Sequence, residues 1–273
     1  MPVLNVVKSA ALDRAVFVRP RFLNGIELVS VSYRHRTFPV HTHDCYVVGT
    51  IIAGAEALCV KGRTHVAKTG DTLQLYPDEP HANHTVGDTA LQYRVFYLPV
   101  ASIEAYIGEG QSLSFSTPVV SDRSLAQTLV ELHVRLSLGP ARRLEQESAL
   151  FSLVGALAAR SRSDSAEARH DNFAVRRVRA WIDEHFAEDV GLAELSAIAE
   201  LSVFRFAHLF KASTGLSPMA YRNQRRVYEA RRLLLTDQPI ADIASQLGFA
   251  DQSHLTRQFQ RIMGISPNRY RQQ

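Results

Sequence analysis

Two histidines, His41 and His43, open the stretch HTHDCYVVGTIIAG. Alternate residues of a β-strand project to one face, so a strand here sets both imidazoles side by side. Paired imidazoles suit a divalent transition metal, and they equally suit hydrogen bonding to an organic ligand. A second group with chemistry lies at the other end of the chain. GLSPMAYRNQ and GISPNRYRQQ repeat one pattern, with Gly215, Ser217, Pro218, Tyr221 and Arg222 recurring as Gly264, Ser266, Pro267, Tyr270 and Arg271. Each copy follows a segment with a polar face, SVFRFAHLFKAST and DQSHLTRQFQRIM. Arg257 and Gln252 in the second segment carry the forks that fit guanine O6/N7 and adenine N6/N7. No GxSxG, P-loop or dinucleotide fingerprint accompanies them, so no catalytic constellation is visible.

These groups must be positioned by two kinds of structure. The 273 residues suggest two domains, and a 46% hydrophobic fraction suffices for ordinary cores. No run of about 18 apolar residues exists to span a membrane. The start, MPVLNVVKSAALDRAVF, breaks its apolar run with Lys8 and Asp13 and is a poor signal peptide. Cys45 and Cys59 form no CxxC pair, which implies a reduced, cytoplasmic protein. Residues 1–172 hold 17 Lys+Arg and 17 Asp+Glu, whereas residues 173–273 hold 14 and 10. The whole excess of +4 thus lies at the C-terminal end, as expected for a polyanion-binding face.

Residues 15 to about 100 read as short strands parted by Gly, Pro and Asp, which suggests a barrel or sandwich. Leu125, Leu129, Leu132 and Leu136, then Leu150, Val154 and Leu157, step at helical spacing on either side of Gly139-Pro140. Their apolar stripes predict a helical pairing segment over 121–160. Residues 161–172, SRSDSAEARHDN, read as a linker. Everything from 173 reads as helical. Two helix-turn-helix units are expected at about 192–214 and 240–263, with Ser202 and Asp251 as N-caps of their second helices. Gly suits the left-handed C-cap and Pro the first turn of the next helix, which explains the repeated Gly-x-Ser-Pro. A connecting helix over 217–236 would span about 30 Å, close to the roughly 34 Å between successive turns of DNA.

The segment PIADIASQLGFADQSHLTRQFQRIMGISPNRYR closely resembles the DNA-binding domain of the AraC/XylS family of bacterial transcription regulators. The resemblance implies an α+β chain: a cupin-like sensor barrel (1–120), a helical dimerisation segment (121–160), the linker, and an all-α DNA-binding domain (173–273) with two helix-turn-helix motifs joined by a long helix. It places the family's base contacts on Phe204, Arg205 and His208 in the first unit, and on Gln252, Ser253, His254 and Arg257 in the second. His208 stands where relatives commonly carry Arg. Arg222, Arg225, Arg226, Arg231 and Arg232 on the connecting helix are expected to meet phosphates or acidic neighbours instead of bases.

The histidine stretch resembles the first cupin motif, and a second motif beginning at Gly70 puts His81 at its histidine position. The carboxylate of metal cupins would fall on Val47, so three of four ligand positions remain. His41, His43 and His81 are therefore expected either to hold a divalent metal with water or to line an organic ligand's pocket, joined, by residue type alone, by Tyr46, Tyr93, Tyr33 and Arg34. Cys45, Glu79 or His84 would be candidates to complete a metal site. The expected function is a sequence-specific, ligand-responsive transcription regulator, an activator and not an enzyme. No cofactor is required. Its partners would be an operator duplex, an unidentified effector, RNA polymerase and a second copy of the chain. A metal-dependent cupin enzyme tethered to a DNA-binding domain is the alternative.

Overall fold

The computed structural model describes residues 13–23, 25–108, 111–137, 143–160 and 173–273. Residues 1–12, most of the stretch tested as a signal peptide, and the linker 161–172 lie outside the described residues. Nine strands come first: β1 (Arg14–Val18), β2 (Glu27–Tyr33), β3 (Thr37–His41), β4 (Cys45–Ala53), β5 (Ala55–Val60), β6 (Arg63–Lys68), β7 (Thr72–Leu75), β8 (His81–Val86) and β9 (Leu91–Pro99). A helix unforeseen in the sequence, α1 (Val100–Ile107), follows, and then the short β10 (Val119–Val120). One sheet runs β1-β2-β9-β4-β7-β10 and the other β3-β8-β5-β6. Their inner faces share one apolar cluster, the expected barrel interior.

Period-2 alternation sorts β4. Cys45, Val47 and Ile51 face inward, while Tyr46 and Val48 face outward. That outer face is covered by α2 (Arg123–Ser137), and α3 (Arg143–Ala158) packs on α2 and α1 in the same apolar cluster. The leucine stripes that suggested pairing are consumed within this layer: Leu125, Leu129, Leu153 and Leu157 are at most 1% exposed. An apolar stripe in sequence states only that something covers it, and the covering surfaces are the chain's own sheet for α2 and its own helices for α3.

The C-terminal unit comprises α4 (Phe173–His185), α5 (Leu192–Ile198), α6 (Val203–Thr214), α7 (Pro218–Leu233), α8 (Ile240–Gln246), α9 (Gln252–Met263) and α10 (Pro267–Arg271). The two helix-turn-helix pairs, α5–α6 and α8–α9, end where expected. Ser202 Oγ accepts the Arg205 N–H and Asp251 Oδ1 the His254 N–H, so both caps form. Gly215 and Gly264 are left-handed C-caps at φ 72° and 78°, and Ser217 and Ser266 cap the helices that begin at Pro218 and Pro267. The repeated arginines match as well. Arg222 donates to the Glu188 and Val190 carbonyls just before α5, and Arg271 to those of Leu234 and Gln238 just before α8. The connecting helix has 16 residues, about 24 Å at 1.5 Å each. It falls short of the expected length because Leu234 begins a turn.

The second unit's core is continuous with the barrel's. Phe259, Ile262, Met263 and Tyr270 belong to the same cluster as Val31, Tyr33 and Phe38. Arg179–Asp78 at 2.7 Å and Arg225–Asp44 at 4.0 Å also cross the boundary. Burying a side chain such as Ile262 or Met263 is worth about 1.5–3 kcal/mol, against about 0–1 kcal/mol for a partly exposed ion pair. Apolar packing therefore dominates the docking of the two domains.

Candidate functional site

Each second helix has one buried and one open face. On α6, Phe206 and Phe210 are fully buried, whereas Arg205 and His208 are exposed and Phe204 is 84% exposed. An aromatic that open is not core, which leaves Phe204 free for a thymine methyl. On α9, Leu255 and Phe259 are fully buried, and Gln252, Ser253 and Arg257 are exposed. Arg257 forms no ion pair among the described residues, so its fork is available. His254 is half-buried. Its ring stands edge-on to Phe249 at 5.3 Å and its Nδ1 accepts the Ala250 N–H, which leaves Nε2 as the outward polar edge.

The arginines of α7 are engaged internally. Arg226 donates to the carbonyls of Phe186, Ala187, Glu188 and Gly248, tying the two helix-turn-helix units together. Arg225 pairs with Asp183 at 2.8 Å, Arg231 approaches Glu27 at 3.7 Å, and Arg232 pairs with Glu229 at 2.5 Å. Acidic neighbours thus take Arg225, Arg231 and Arg232, and backbone carbonyls take Arg222 and Arg226.

The three histidines meet inside the barrel. His41 closes β3 and His81 opens β8, and the two are direct partners across the antiparallel pair. His43 lies just past the strand end, yet its ring still reaches the same space. Ring centroids are 4.2 Å apart for His41–His81, 5.0 Å for His41–His43 and 5.1 Å for His43–His81. One ring nitrogen from each lies within 4.8 Å of the others. The Nδ1 atoms of His41 and His81 lie 2.8 and 2.9 Å from the carbonyls of Pro39 and Glu79. A carbonyl only accepts, so both Nδ1 atoms carry the proton and both Nε2 lone pairs are free. Burial holds all three pKa values below the ordinary histidine value, and mutual repulsion lowers His43 and His81 further. The rings are neutral at pH 7, the form that binds metal.

The cavity around them is small, about 60 Å³, and is also lined by Tyr93, Tyr97, Glu56 and Val47. Its remaining wall comes from the DNA-binding domain, through Ile262 and Met263 of α9. Burial raises the Glu56 carboxyl to about 7, opposed by the hydrogen bond from Asn83. Tyr33 and Tyr93 join the cavity as expected. Tyr46 does not: β4 turns it outward onto Tyr76 and Phe115. Arg34 and His84 are exposed, Cys45 is buried outside the cavity lining, and Glu79 contributes its backbone carbonyl. Tyr97 was legible, since it shares the strand parity of Tyr93. Ile262 and Met263 were not, because they come from another domain.

A β-barrel docked on a helical domain with two helix-turn-helix units, each with an exposed second helix, fits a DNA-binding transcription regulator. Residues 23–154 match the family model of the AraC-like ligand binding domain, and residues 195–273 match that of a helix-turn-helix domain. The chain is 30% identical over 225 residues to the HTH-type transcriptional regulator YbfI of Bacillus subtilis (strain 168), covering 80% of this chain and 81% of that protein. It is 24% identical to the HTH-type transcriptional activator RhaS of Klebsiella pneumoniae (strain 342), covering 92% and 94%. The crystal structure of ToxT from Vibrio cholerae O395 shares the fold, with a TM-score of 0.57 at 14% identity over 90% of this chain and 96% of that one. The chain belongs to the AraC/XylS family of transcription regulators. Among the described residues no helix is long and apolar enough to cross a membrane.

Proposed function

We propose that the chain is a cytoplasmic, sequence-specific transcription activator and not an enzyme, gated by what its histidine cavity holds. The observation that carries this reading is the position of α9. Its first two turns present Gln252, Ser253, His254 and Arg257 outward, and its last turn lines the cavity with Ile262 and Met263. One 12-residue helix, about 18 Å long, thus touches both input and output.

The cavity supports a metal ion better than an organic effector. Small-molecule sites usually occupy roughly 300–1,000 Å³, and one water needs only about 10–15 Å³. The 60 Å³ here suits an ion with a few waters. Three converging neutral imidazoles with fixed tautomers fit Zn²⁺ or a similar ion, and the partly protonated Glu56 carboxyl is a ready counter-charge. A bound ion would supply positive charge and fix the three rings. The same closure by Ile262 and Met263 leaves no room for a substrate beside the ion, which argues against the enzyme alternative.

The activator would work as a homodimer that recruits RNA polymerase. With the leucine stripes buried, the face available for pairing is the outer side of α3, where Leu144 is 74% and Phe151 65% exposed. Selection of bound sequences from a random duplex pool tests the function directly. Two short motifs one helical turn apart are expected, and enrichment of no common sequence would contradict the reading.

A further inference from the structure

The turn between β2 and β3 belongs to the barrel, yet it ends against the second recognition helix. Its three residues, Arg34, His35 and Arg36, separate Tyr33 from Thr37. The Arg36 guanidinium packs over Tyr33 and Phe38, and its Nη2 donates to the Gln260 carbonyl at 3.1 Å. Gln260 lies about one turn beyond Arg257 on α9, and both it and Arg261 are exposed. Arg257 and Arg261 share a face at i, i+4 spacing, so the outward face of the helix leads to this turn. Positive charge gathers there. Arg34, His35, Arg261 and, on α10, Arg269 are exposed, and none of these three arginines forms an ion pair among the described residues. Arg269 also stands close to Tyr33: burial raises that hydroxyl's pKa to about 12, and the charges of Arg36 and Arg269 oppose the rise. Asp13 accepts the backbone N–H of Arg34 at 2.9 Å, which leaves the guanidinium outside that bond.

We propose that this turn is a third DNA contact, made by the barrel itself to phosphates that flank the second unit's half-site. The proposal rests on the reading of α9 as a recognition helix. Such a helix presents its N-terminal residues to base edges, so groups beside its C-terminal half meet the sugar-phosphate rim and not the bases. An arginine there adds affinity without reading sequence. Arg36 holds the turn to α9, and Arg34 is the free fork. The contact exists only while the barrel is docked on the helical domain. Docking therefore strengthens DNA binding, and whatever loosens the barrel weakens it.

Salt-dependent binding of the full-length chain to its selected operator tests the proposal. Each phosphate contact contributes about −0.9 to the slope of log K against log salt. Arg34→Ala should make that slope shallower by about one and weaken operator and random duplex by similar factors. Arg34→Glu should weaken both further. Trimming the operator's flanking pairs beside the second half-site should lower wild-type affinity and abolish the difference between wild type and Arg34→Ala. Arg63 is the control, an exposed arginine on β6 at the opposite edge of its sheet from β3. Arg63→Ala should leave the slope unaltered. A wild-type slope in both Arg34 variants, or an equal loss in Arg63→Ala, would overturn the proposal while selective operator binding, and with it the proposed function, stands. Absence of selective binding by the wild type would overturn both.

Discussion

Gln224 of α7 grips Thr42, the residue between His41 and His43. Its Oε1 accepts the Thr42 N–H at 3.1 Å and its Nε2 donates to the Thr42 carbonyl at 3.0 Å. The Tyr228 hydroxyl donates to that same carbonyl, and all three residues are buried. The backbone that carries two of the three imidazoles is therefore pinned by the DNA-binding domain.

Gln224→Leu removes this grip without removing volume. It leaves the buried Thr42 N–H unpaired, at a cost of about 1–3 kcal/mol. Urea denaturation of the full-length chain should then show a loss of that size relative to wild type, since docking is weakened. An unchanged stability would show that Thr42 is not part of the latch.

Arg257, exposed on α9 and without an ion pair among the described residues, is the leading candidate for a base reader. Arg257→Ala should cost about 1–3 kcal/mol on the selected operator and much less on random duplex at the same salt concentration. Equal losses on the two duplexes, measured by fluorescence anisotropy, would make Arg257 a phosphate contact.

Gly264 has two reasons to be glycine. Its φ is 78°, and a Cβ there would lie 2.8 Å from the Tyr33 hydroxyl of the barrel. Gly62 has nearly the same φ, 75°, but open space around it. Gly62→Ala should cost only the left-handed penalty of about 1–2 kcal/mol. Gly264→Ala should exceed it in urea denaturation because the barrel contact must also give way. Equal losses would mean that the tyrosine moves aside freely.

Much of this was legible in the sequence. Both helix-turn-helix units, their caps and the left-handed glycines follow from local rules, so a 49-residue repeat sufficed to place them. The convergence of His41, His43 and His81 was also legible through motif spacing. What was not legible depends on partners distant in sequence. The leucines of α2 and α3 carry a stripe but no label for what covers it, and Tyr46 depended on the parity of β4. Gln224 on Thr42 joins residues 182 positions apart. Nothing in either segment announces the other.

His133 of α2 gives a pH dependence separate from the cavity. Burial, aided by Arg94, lowers its pKa to about 4, and its Nε2 lies 3.2 Å from the Val29 carbonyl as donor. The unfolded chain takes up this proton from about pH 6.5 downward, while the folded chain refuses it until about pH 4. Stability should fall with pH across that window. His133→Gln should flatten the slope of unfolding free energy between pH 6.5 and 4, and an unaltered slope would assign the effect elsewhere.

The coupling of cavity to DNA is tested most directly by operator affinity with and without Zn²⁺. The full-length chain, freed of metal by chelation, is titrated against the selected operator before and after Zn²⁺ addition. An allosteric coupling of about 1–3 kcal/mol corresponds to a roughly 5–150-fold change in affinity. The wild type should show a change of that size, and His43→Ala and His81→Ala should show none. Equal operator affinity in both metal states, or an equal Zn²⁺ response in the histidine variants, would contradict the account.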